Sequence, residues 1–299
     1  MQEELDSIIL DFNSESLFFL NLTLAVIMFG VALNITVSDF LRIIKNPKSV
    51  LIGILSQFIL LPAFTFLLVT IIQPIPSIAL GMFMVAACPG GNISNFMTSY
   101  ARGNAALSVS LTAVATLLGI VMVPLNFQLW SGFYEPTSDL INTISLSPLA
   151  MIKLISLLLG VPLILGMLVR NYIPNFALKS APIFKIGSIL FFLALIILAL
   201  SKNIDIFKNY IHYVFIIVLI HNILALTLGY SIASITGLSK RDRRTLAIET
   251  GIQNSGLGML LIFSFFNGLG GMALLAAFWG IWHIVSGLII ATYWSKRQI

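Results

Sequence analysis

Long apolar stretches of membrane-spanning length follow one another along most of the chain and are separated by short polar segments. A helix needs about 20 consecutive apolar residues to cross the hydrocarbon core of a bilayer. The pattern therefore predicts nine membrane-spanning helices and an all-α, polytopic membrane protein. The predicted spans are 17–37, 49–72, 77–101, 104–129, 149–169, 182–201, 209–235, 245–266 and 271–294.

The amino-acid composition indicates the same class of protein. Of the 299 residues, 59% are hydrophobic and 9% are charged, and the mean hydropathy is +1.04. Soluble proteins carry about 25% charged residues, so soluble enzymes, nucleic-acid-binding proteins and secreted scaffolds are excluded. The single cysteine, Cys88, excludes an internal disulfide.

Basic residues are unevenly distributed between alternate loops, and this sets the predicted orientation. If the N-terminus is outside, 13 of the 16 Lys and Arg residues fall on the cytoplasmic side. Because loops rich in Lys and Arg stay in the cytoplasm, we expect the N-terminus outside and the C-terminus in the cytoplasm of a bacterial cell, with the protein in the inner membrane. The pI of about 9.4 then reflects orientation and not affinity for nucleic acid.

Two of the predicted spans are interrupted by small and polar residues. The third contains Cys-Pro-Gly-Gly-Asn-Ile-Ser-Asn at 88–95, and the eighth contains Glu-Thr-Gly-Ile-Gln-Asn-Ser-Gly at 249–256. A broken membrane helix is tolerated where its free backbone groups face protein, water or an ion. Because the two spans lie five apart, they cross in opposite directions, which is typical of secondary transporters built from inverted repeats. For the third span alone, a proline kink that serves packing is the alternative.

The predicted domain organisation consists of two repeats of unequal length. The first repeat covers 17–129 with four helices, of which 77–129 are the core helices. The second covers 149–294 with five helices, of which 245–294 are the core helices. The remaining segments are an acidic outer tail at 1–16, an outer loop at 130–148 and a cytoplasmic tail at 295–299.

Polar side chains from four spans are predicted to converge in the cytoplasmic half of the membrane. At a rise of 1.5 Å per residue, they lie roughly 6 to 12 Å from the inner ends of their helices. Together they offer several neutral oxygens and one carboxylate, which suits a hard monovalent cation. The residues are Gln57, Ser94, Asn95, Ser108, Thr112, Glu249 and Gln253.

Glu249 is the one charged side chain predicted to be sequestered within a span. A carboxylate there costs ~2.5–3.5 kcal/mol on insertion scales, so its default meaning is functional, with a bound cation or a proton neutralising it. The alternative is structural: Glu249 would stabilise a helix N-terminus or pair with Arg243 and Arg244. For Ser108 and Thr112 taken singly, a hydrogen bond to their own helix is the ordinary role.

Three further polar residues are candidates for contacting an anionic substrate. Asn92 and Asn254 adjoin the breaks, where the N-termini of half-helices favour an anion. His283, near the middle of the ninth span, could donate to a carboxylate or serve packing, and for His221 and Asn222 in the seventh span the structural role is favoured. Since the sequence offers no His/Cys cluster with metal spacing and no nucleophile with a suitable base, we do not expect an enzyme.

The motifs at 88–95, 101–108 and 249–257 make the chain resemble the bile acid:sodium symporter family over essentially its whole length. The resemblance implies a panel domain and a core domain in which the two broken helices cross. It also implies two bound sodium ions and a substrate site in the cleft between the domains. The first sodium site would use Ser94, Asn95, Ser108, Thr112 and Glu249. The second would use Gln57, Glu249, Gln253 and the backbone carbonyls of Thr250 and Ile252. Substrate would contact Asn92, Asn254 and His283.

Bacterial members of this family often have ten helices, and the nine predicted spans lack the first, as in vertebrate members. The ion-site residues all match the family motifs, whereas the completeness of the panel domain and any dimer contact made by the missing helix stay open. We expect a monomer in the lipid bilayer, with a dimer as the alternative.

The expected function is sodium-coupled symport of an organic anion, with two Na⁺ per substrate, by alternating access. Candidate substrates are a bile acid or a smaller carboxylate such as pantoate or a 2-keto acid. Two alternatives stay open. One is a proton-coupled organic-anion exporter or antiporter in which Glu249 carries the proton, and the other is a receptor or channel that does not accumulate substrate.

Overall fold

A computed structural model describes Asp6 and residues 14–39, 41, 47–144, 147–202 and 204–297. Within these ranges the chain is almost entirely helical. The helices are α1 (Ser14–Ala32), α2 (Pro47–Leu55), π1 (Ser56–Leu60), α3 (Leu61–Ile72), α4 (Pro76–Ala87), α5 (Ile93–Tyr100), α6 (Ala105–Phe133), α7 (Glu135–Ile144), α8 (Pro148–Ile155), π2 (Ser156–Gly160), α9 (Val161–Tyr172), α10 (Pro174–Lys202), α11 (Ile204–Ile235), α12 (Lys240–Gly251), α13 (Ser255–Phe265) and α14 (Gly270–Ser295).

Five helical segments among the described residues are long and apolar enough to cross a membrane. Two of the shorter apolar helices, α4 and α13, are each half of a span that was predicted to be broken. The prediction of an all-α, polytopic membrane protein is therefore confirmed. The count of nine spans and their division into repeats stay predictions. The five long segments are Pro47–Ile72, Ala105–Phe133, Pro148–Tyr172, Tyr210–Ile235 and Gly270–Ser295.

Two of the long segments contain a single turn of π-helix just before a proline. The amide of Leu61 donates to the carbonyl of Ser56 at the end of π1, and Pro62 follows. At the end of π2, the amide of Val161 donates to the carbonyl of Ser156, and Pro162 follows. Because proline has no N–H to donate, the regular ladder fails at this point and the wider turn absorbs the defect. Such turns often mark functional sites, and π1 carries Gln57.

The first span ends earlier than the sequence predicts. Helix α1 ends at Ala32 rather than at residue 37; a turn follows at 33–34, and residues 37–39 are helical again. The carboxylate of Asp39 accepts hydrogen bonds from the amide of Thr36 at 2.8 Å and from its hydroxyl at 2.7 Å. An acidic side chain that accepts from the amide three residues earlier caps the start of a helix, so a new helical turn begins here in place of a longer α1.

The structure also differs from the prediction at 130–148, which was expected to be a loop. Helix α6 runs on to Phe133, and α7 occupies much of the remaining segment. The Thr137 hydroxyl donates to the carbonyls of Ser131 at 2.5 Å and Tyr134 at 2.8 Å, so α7 folds back over the end of α6. The predicted tail at 1–16 lies largely outside the described residues, although Asp6 accepts from the amide of Ser77 at 2.8 Å and so caps the start of α4.

The helices pack so that the two broken spans occupy the centre of the molecule. Helices α1, α9 and α10 pack on one another, while α4 packs against α3, α6 and α14, and α11 packs against α12 and α14. Every residue of α4 after Pro76 is buried, and so is most of α13. A helix that is apolar all round belongs in a core, and Phe83, Phe263 and Trp279 are among the largest fully buried side chains there.

Candidate functional site

The two helix breaks contact each other directly. Helix α4 ends at Ala87 and α5 begins at Ile93, while α12 ends at Gly251 and α13 begins at Ser255. Across the crossing, the Gly91 amide donates to the Ile252 carbonyl at 2.7 Å, and the Asn254 amide donates to the Pro89 carbonyl at 2.9 Å. These bonds satisfy backbone groups that neither helix can satisfy, which is what a break at membrane depth requires.

The hydrogen bonds across the crossing are related by a local two-fold axis. Exchanging the two breaks turns the Gly91–Ile252 bond into the Asn254–Pro89 bond, with Gly90 and Gln253 facing each other in an antiparallel bridge. In this relation Cys88 corresponds to Gly251. Such a relation is what two inverted repeats would produce.

Glycines permit the close approach at the crossing. A Cβ atom on Gly91 would lie 2.8 Å from the backbone oxygen of Gln253. One on Gly90 would lie 3.2 Å from both the backbone oxygen and a carboxylate oxygen of Glu249. The Pro-Gly-Gly run therefore brings the first break against the second and against the Glu249 carboxylate.

All five residues expected to form the first ion site come together around Glu249. One carboxylate oxygen, Oε1, accepts hydrogen bonds from the hydroxyls of Ser94 at 2.6 Å and Ser108, and Oε2 accepts from the Thr112 hydroxyl at 3.1 Å. The Asn95 side-chain oxygen is a second acceptor for the same two hydroxyl groups, at 2.8 Å from that of Ser108 and 3.4 Å from that of Thr112. Ser108 and Thr112 reach the same carboxylate because they lie one turn apart on α6.

Glu249 is buried, with 6% of its surface exposed. The arginines considered as its partners are engaged elsewhere: Arg243 donates to the carbonyl of Leu238, and Arg244 donates to the carbonyls of Ala101 and Trp294. Within the described ranges, the recorded partners of the Glu249 carboxylate are hydroxyl groups and no cationic side chain. The structure thus contains a buried carboxylate surrounded by neutral oxygens.

The residues expected to form the second ion site are linked by a separate hydrogen-bond network. The side-chain amide of Gln57 donates to the Cys88 carbonyl at 2.9 Å and to the Gln253 side-chain oxygen at 2.8 Å. The side-chain amide of Gln253 donates to the backbone carbonyl of Thr250 at 2.6 Å. The hydroxyl of Thr250 also hydrogen-bonds that of Ser56 at 2.9 Å. Gln57, on π1, therefore contacts both breaks.

A small cavity of about 10 Å³ joins the two groups of residues. A cavity of this size is at the lower limit for holding one water molecule. Its lining residues are Gly53, Ile54, Gln57, Gly90, Leu111, Ala115 and Glu249.

The sequence matches the model of a known family, the Sodium Bile acid symporter family, over residues 21–210. The chain belongs to this family. The resemblance noted from the motifs is therefore confirmed, and the protein is a membrane transporter of the sodium-coupled symporter class.

Relatives of this symporter occur in bacteria, plants and animals. The "uncharacterized sodium-dependent transporter YocS" of Bacillus subtilis is 32% identical over 97% of this chain and 88% of its own length. The "probable sodium/metabolite cotransporter BASS2, chloroplastic" of rice is 30% identical over 92% of this chain and 64% of its own. The human "ileal sodium/bile acid cotransporter" is 30% identical over 80% of this chain and 67% of its own.

The three candidate substrate residues of this symporter lie in different surroundings. The Asn254 side-chain oxygen accepts from the amide of Leu257 at 3.1 Å and caps α13. The side-chain oxygen of Asn92 and the Nδ1 atom of His283 are buried without a hydrogen-bond partner among the described residues. Asn92 and Asn254 flank the crossing, whereas no hydrogen bond joins His283 to either of them in the described part of the chain.

Sequence reasoning missed two polar contacts of this symporter's broken helices. Ser56, which hydrogen-bonds Thr250, was not singled out, and Asn222, read as structural, donates to the carbonyl of Gly251 at 2.8 Å. A polar residue within an apolar span was the available signal in each case, beside Gln57 for Ser56 and beside His221 for Asn222. The neighbouring His221 hydrogen-bonds the Thr65 hydroxyl at 2.7 Å, as its predicted packing role requires.

Proposed function

We propose that this protein takes up an organic anion together with two sodium ions by alternating access. The observation that carries the proposal is the buried Glu249 carboxylate, which lies beside the crossing of two broken helices and is surrounded by hydroxyl and amide groups. Secondary transporters with discontinuous helices bind their ions at such crossings.

At the proposed first site, sodium would be bound by oxygens that now hydrogen-bond one another. The hydroxyls of Ser94, Ser108 and Thr112 donate to Glu249 in the described arrangement. A hydroxyl also has two acceptor lone pairs, so rotation of each O–H would turn a lone pair towards a cation beside the carboxylate. The Asn95 side-chain oxygen would complete a set of hard oxygen ligands.

At the proposed second site, the ion would be bound by Gln57, Gln253 and the backbone carbonyls of Thr250 and Ile252, with Glu249 shared between the two sites. Each of these carbonyls accepts one hydrogen bond, from Gln253 and Gly91 respectively, and retains a second lone pair. Because both ions would neutralise one carboxylate, we expect their binding to be coupled.

The proposed stoichiometry makes transport electrogenic. We propose a location in a bacterial inner membrane with the N-terminus outside. Two Na⁺ taken up with one monovalent anion carry a net charge of +1 inward. A potential of ~100 mV then contributes ~2.3 kcal/mol, or about fifty-fold accumulation. The sodium gradient would add to this.

The proposed substrate is an organic monoanion bound near Asn92, Asn254 and His283. The unpartnered polar atoms of Asn92 and His283 support a polar ligand there, and the start of α13 beside Asn254 favours negative charge. The names of the relatives, which mention bile acids in one case and metabolites in another, make a bile acid or a smaller carboxylate such as pantoate or a 2-keto acid the substrates to test first.

Uptake into proteoliposomes tests the function directly. With an inward sodium gradient and a screen of labelled organic anions, we expect accumulation of at least one anion, which collapses when choline replaces sodium. A membrane potential that is negative inside the proteoliposomes is expected to increase uptake. Uptake that is independent of sodium but follows a proton gradient would instead support the second candidate, proton coupling through Glu249. That candidate is also favoured because Glu249 has no cationic partner among the described residues.

A matched pair of substitutions on α6 tests the first sodium site. The Thr112 hydroxyl donates to Glu249, whereas the Thr116 hydroxyl, one turn further along, donates to the Thr112 carbonyl of its own helix at 2.7 Å. Thr112→Val is expected to raise the sodium concentration for half-maximal uptake about five- to tenfold, the value of one hydrogen-bonding ligand. Thr116→Val, the same isosteric change, is expected to leave it unchanged. Equal sodium dependence in the two variants would contradict the assignment of Thr112.

A further inference from the structure

Asn222 supports the second helix break from the neighbouring helix α11. Its side chain is fully buried, and its amide donates to the Gly251 carbonyl at 2.8 Å. Gly251 is the last residue of α12, immediately between Thr250 and Ile252. Since α12 ends here, the Gly251 carbonyl has no partner from a further helical turn, and the Asn222 amide takes that place.

Gln57 makes the corresponding contact at the first break. Its amide donates to the carbonyl of Cys88, the residue after the end of α4. Cys88 and Gly251 are counterparts in the local two-fold relation between the breaks. Each break is therefore held at the same backbone position by a side-chain amide from the membrane helix that precedes it in the chain.

Packing around Gly251 leaves little freedom for this carbonyl once Asn222 is bound to it. A Cβ atom on Gly251 would lie 2.3 Å from a methyl group of Leu226, one turn beyond Asn222 on α11. A Cβ atom on Gly229 would lie 2.4 Å from the Leu246 carbonyl on α12. Helices α11 and α12 are thus in close backbone contact on both sides of the Asn222 hydrogen bond.

We propose that Asn222 is a positioning residue for the second sodium site: by fixing the Gly251 carbonyl, it sets the orientation of the Thr250 and Ile252 carbonyls on either side. The peptide plane that carries the Gly251 carbonyl is rigid, and it joins the planes that carry the Thr250 and Ile252 carbonyls at the Cα atoms of Gly251 and Ile252. Holding this central plane limits the φ and ψ changes through which the two neighbouring carbonyls can turn. This inference rests on the proposed function. Asn222 itself acts through the backbone and is assigned no contact with the ion.

The test is a sodium titration of uptake by the purified full-length protein in proteoliposomes. Asn222→Leu removes the donor and keeps the branched arrangement of heavy atoms, Asn222→Ala removes both, and Asn222→Gln keeps an amide. Thr65→Val is the matched control, because it removes the buried hydrogen bond to His221, the residue beside Asn222 on α11, without touching either break.

We expect Asn222→Leu and Asn222→Ala to raise the sodium concentration for half-maximal uptake about five- to tenfold, by the worth of one buried hydrogen bond. Substrate KM at saturating sodium should stay unchanged, and Asn222→Gln should recover part of the sodium affinity. Thr65→Val should retain wild-type sodium dependence even if its thermal stability falls. A purely structural role for Asn222 would lower stability without this selective change.

The inference would be overturned if the folded Asn222 variants keep wild-type sodium affinity. It would also be overturned if both donor-less variants fail to fold while Thr65→Val folds, since Asn222 would then be a structural residue. A different result, absence of sodium dependence in the wild-type protein, would refute the proposed function itself. The wild-type titration therefore separates the two failures.

Discussion

Replacing Glu249 by glutamine is expected to lower sodium-driven uptake by at least about a hundredfold, since hydrogen bonds to a charged group are worth about 1.5–3 kcal/mol each and several are lost together. The substitution keeps the size of the side chain but removes its charge, so the hydroxyls of Ser94, Ser108 and Thr112 would surround a neutral amide. Both proposed sodium ions would lose their common carboxylate. The measurement is initial uptake rate in proteoliposomes at saturating sodium.

Loss of activity alone would not distinguish sodium coupling from proton coupling, because both need this carboxylate. Thermal unfolding of the purified protein with increasing sodium at fixed pH makes the distinction, since an ion that binds only the folded state raises Tm. We expect a sodium-dependent rise in Tm for the wild type and none for Glu249→Gln. Glu135→Gln, a change at an exposed carboxylate at the start of α7, is the control and should behave like the wild type. Sodium-dependent stabilisation that survives in Glu249→Gln would contradict the assigned ion sites.

The local two-fold relation between the breaks clarifies why the proposed ion sites lie on one side of the crossing. The counterpart of Glu249 is Ala86, and the counterpart of Gln253 is Gly90, which has no side chain to place there. The second break therefore supplies the carboxylate and the amide, while the small residues of the first break leave the space that these side chains occupy. The halves α4 and α13 are apolar and buried, so the polar chemistry is confined to the other halves of the two spans.

Features that depend on local periodicity could be predicted from the sequence. The apolar runs gave the helical membrane class, and the spacing of Ser108 and Thr112 predicted a shared helix face, which the structure has. Small polar residues within spans located both breaks. The roles of these residues in binding ions stay predictions, because the described contacts establish their proximity and not an ion.

Features that depend on contacts between distant segments could not be predicted in the same way. The backbone bonds from Gly91 to Ile252 and from Asn254 to Pro89 join segments far apart in the chain. The Asn222 contact with Gly251 likewise joins two different helices. A lone amide in an apolar span indicates that a partner is needed, but only the fold identifies that partner.

Gly91→Ala is expected to disable transport by forcing the two breaks apart. The new Cβ atom would lie 2.8 Å from the Gln253 backbone oxygen, and a backbone atom cannot move aside as the end of a flexible side chain can. Overpacking of this kind costs about 1–3 kcal/mol, and here it would also weaken the bond from Gly91 to Ile252 and shift the carbonyls proposed to bind sodium.

We therefore expect uptake to fall about tenfold or more even where Tm falls by only a few degrees, since overpacking of about 1–3 kcal/mol acts directly on the ion site. Gly132→Ala on α6 is the matched control, because a Cβ atom there would meet nothing within 4 Å and alanine favours the helix. Uptake and sodium-dependent Tm should be measured for both variants in parallel. Wild-type uptake by Gly91→Ala would show that close contact of the breaks is unnecessary for transport, whereas loss confined to Gly91→Ala would tie transport to the crossing itself.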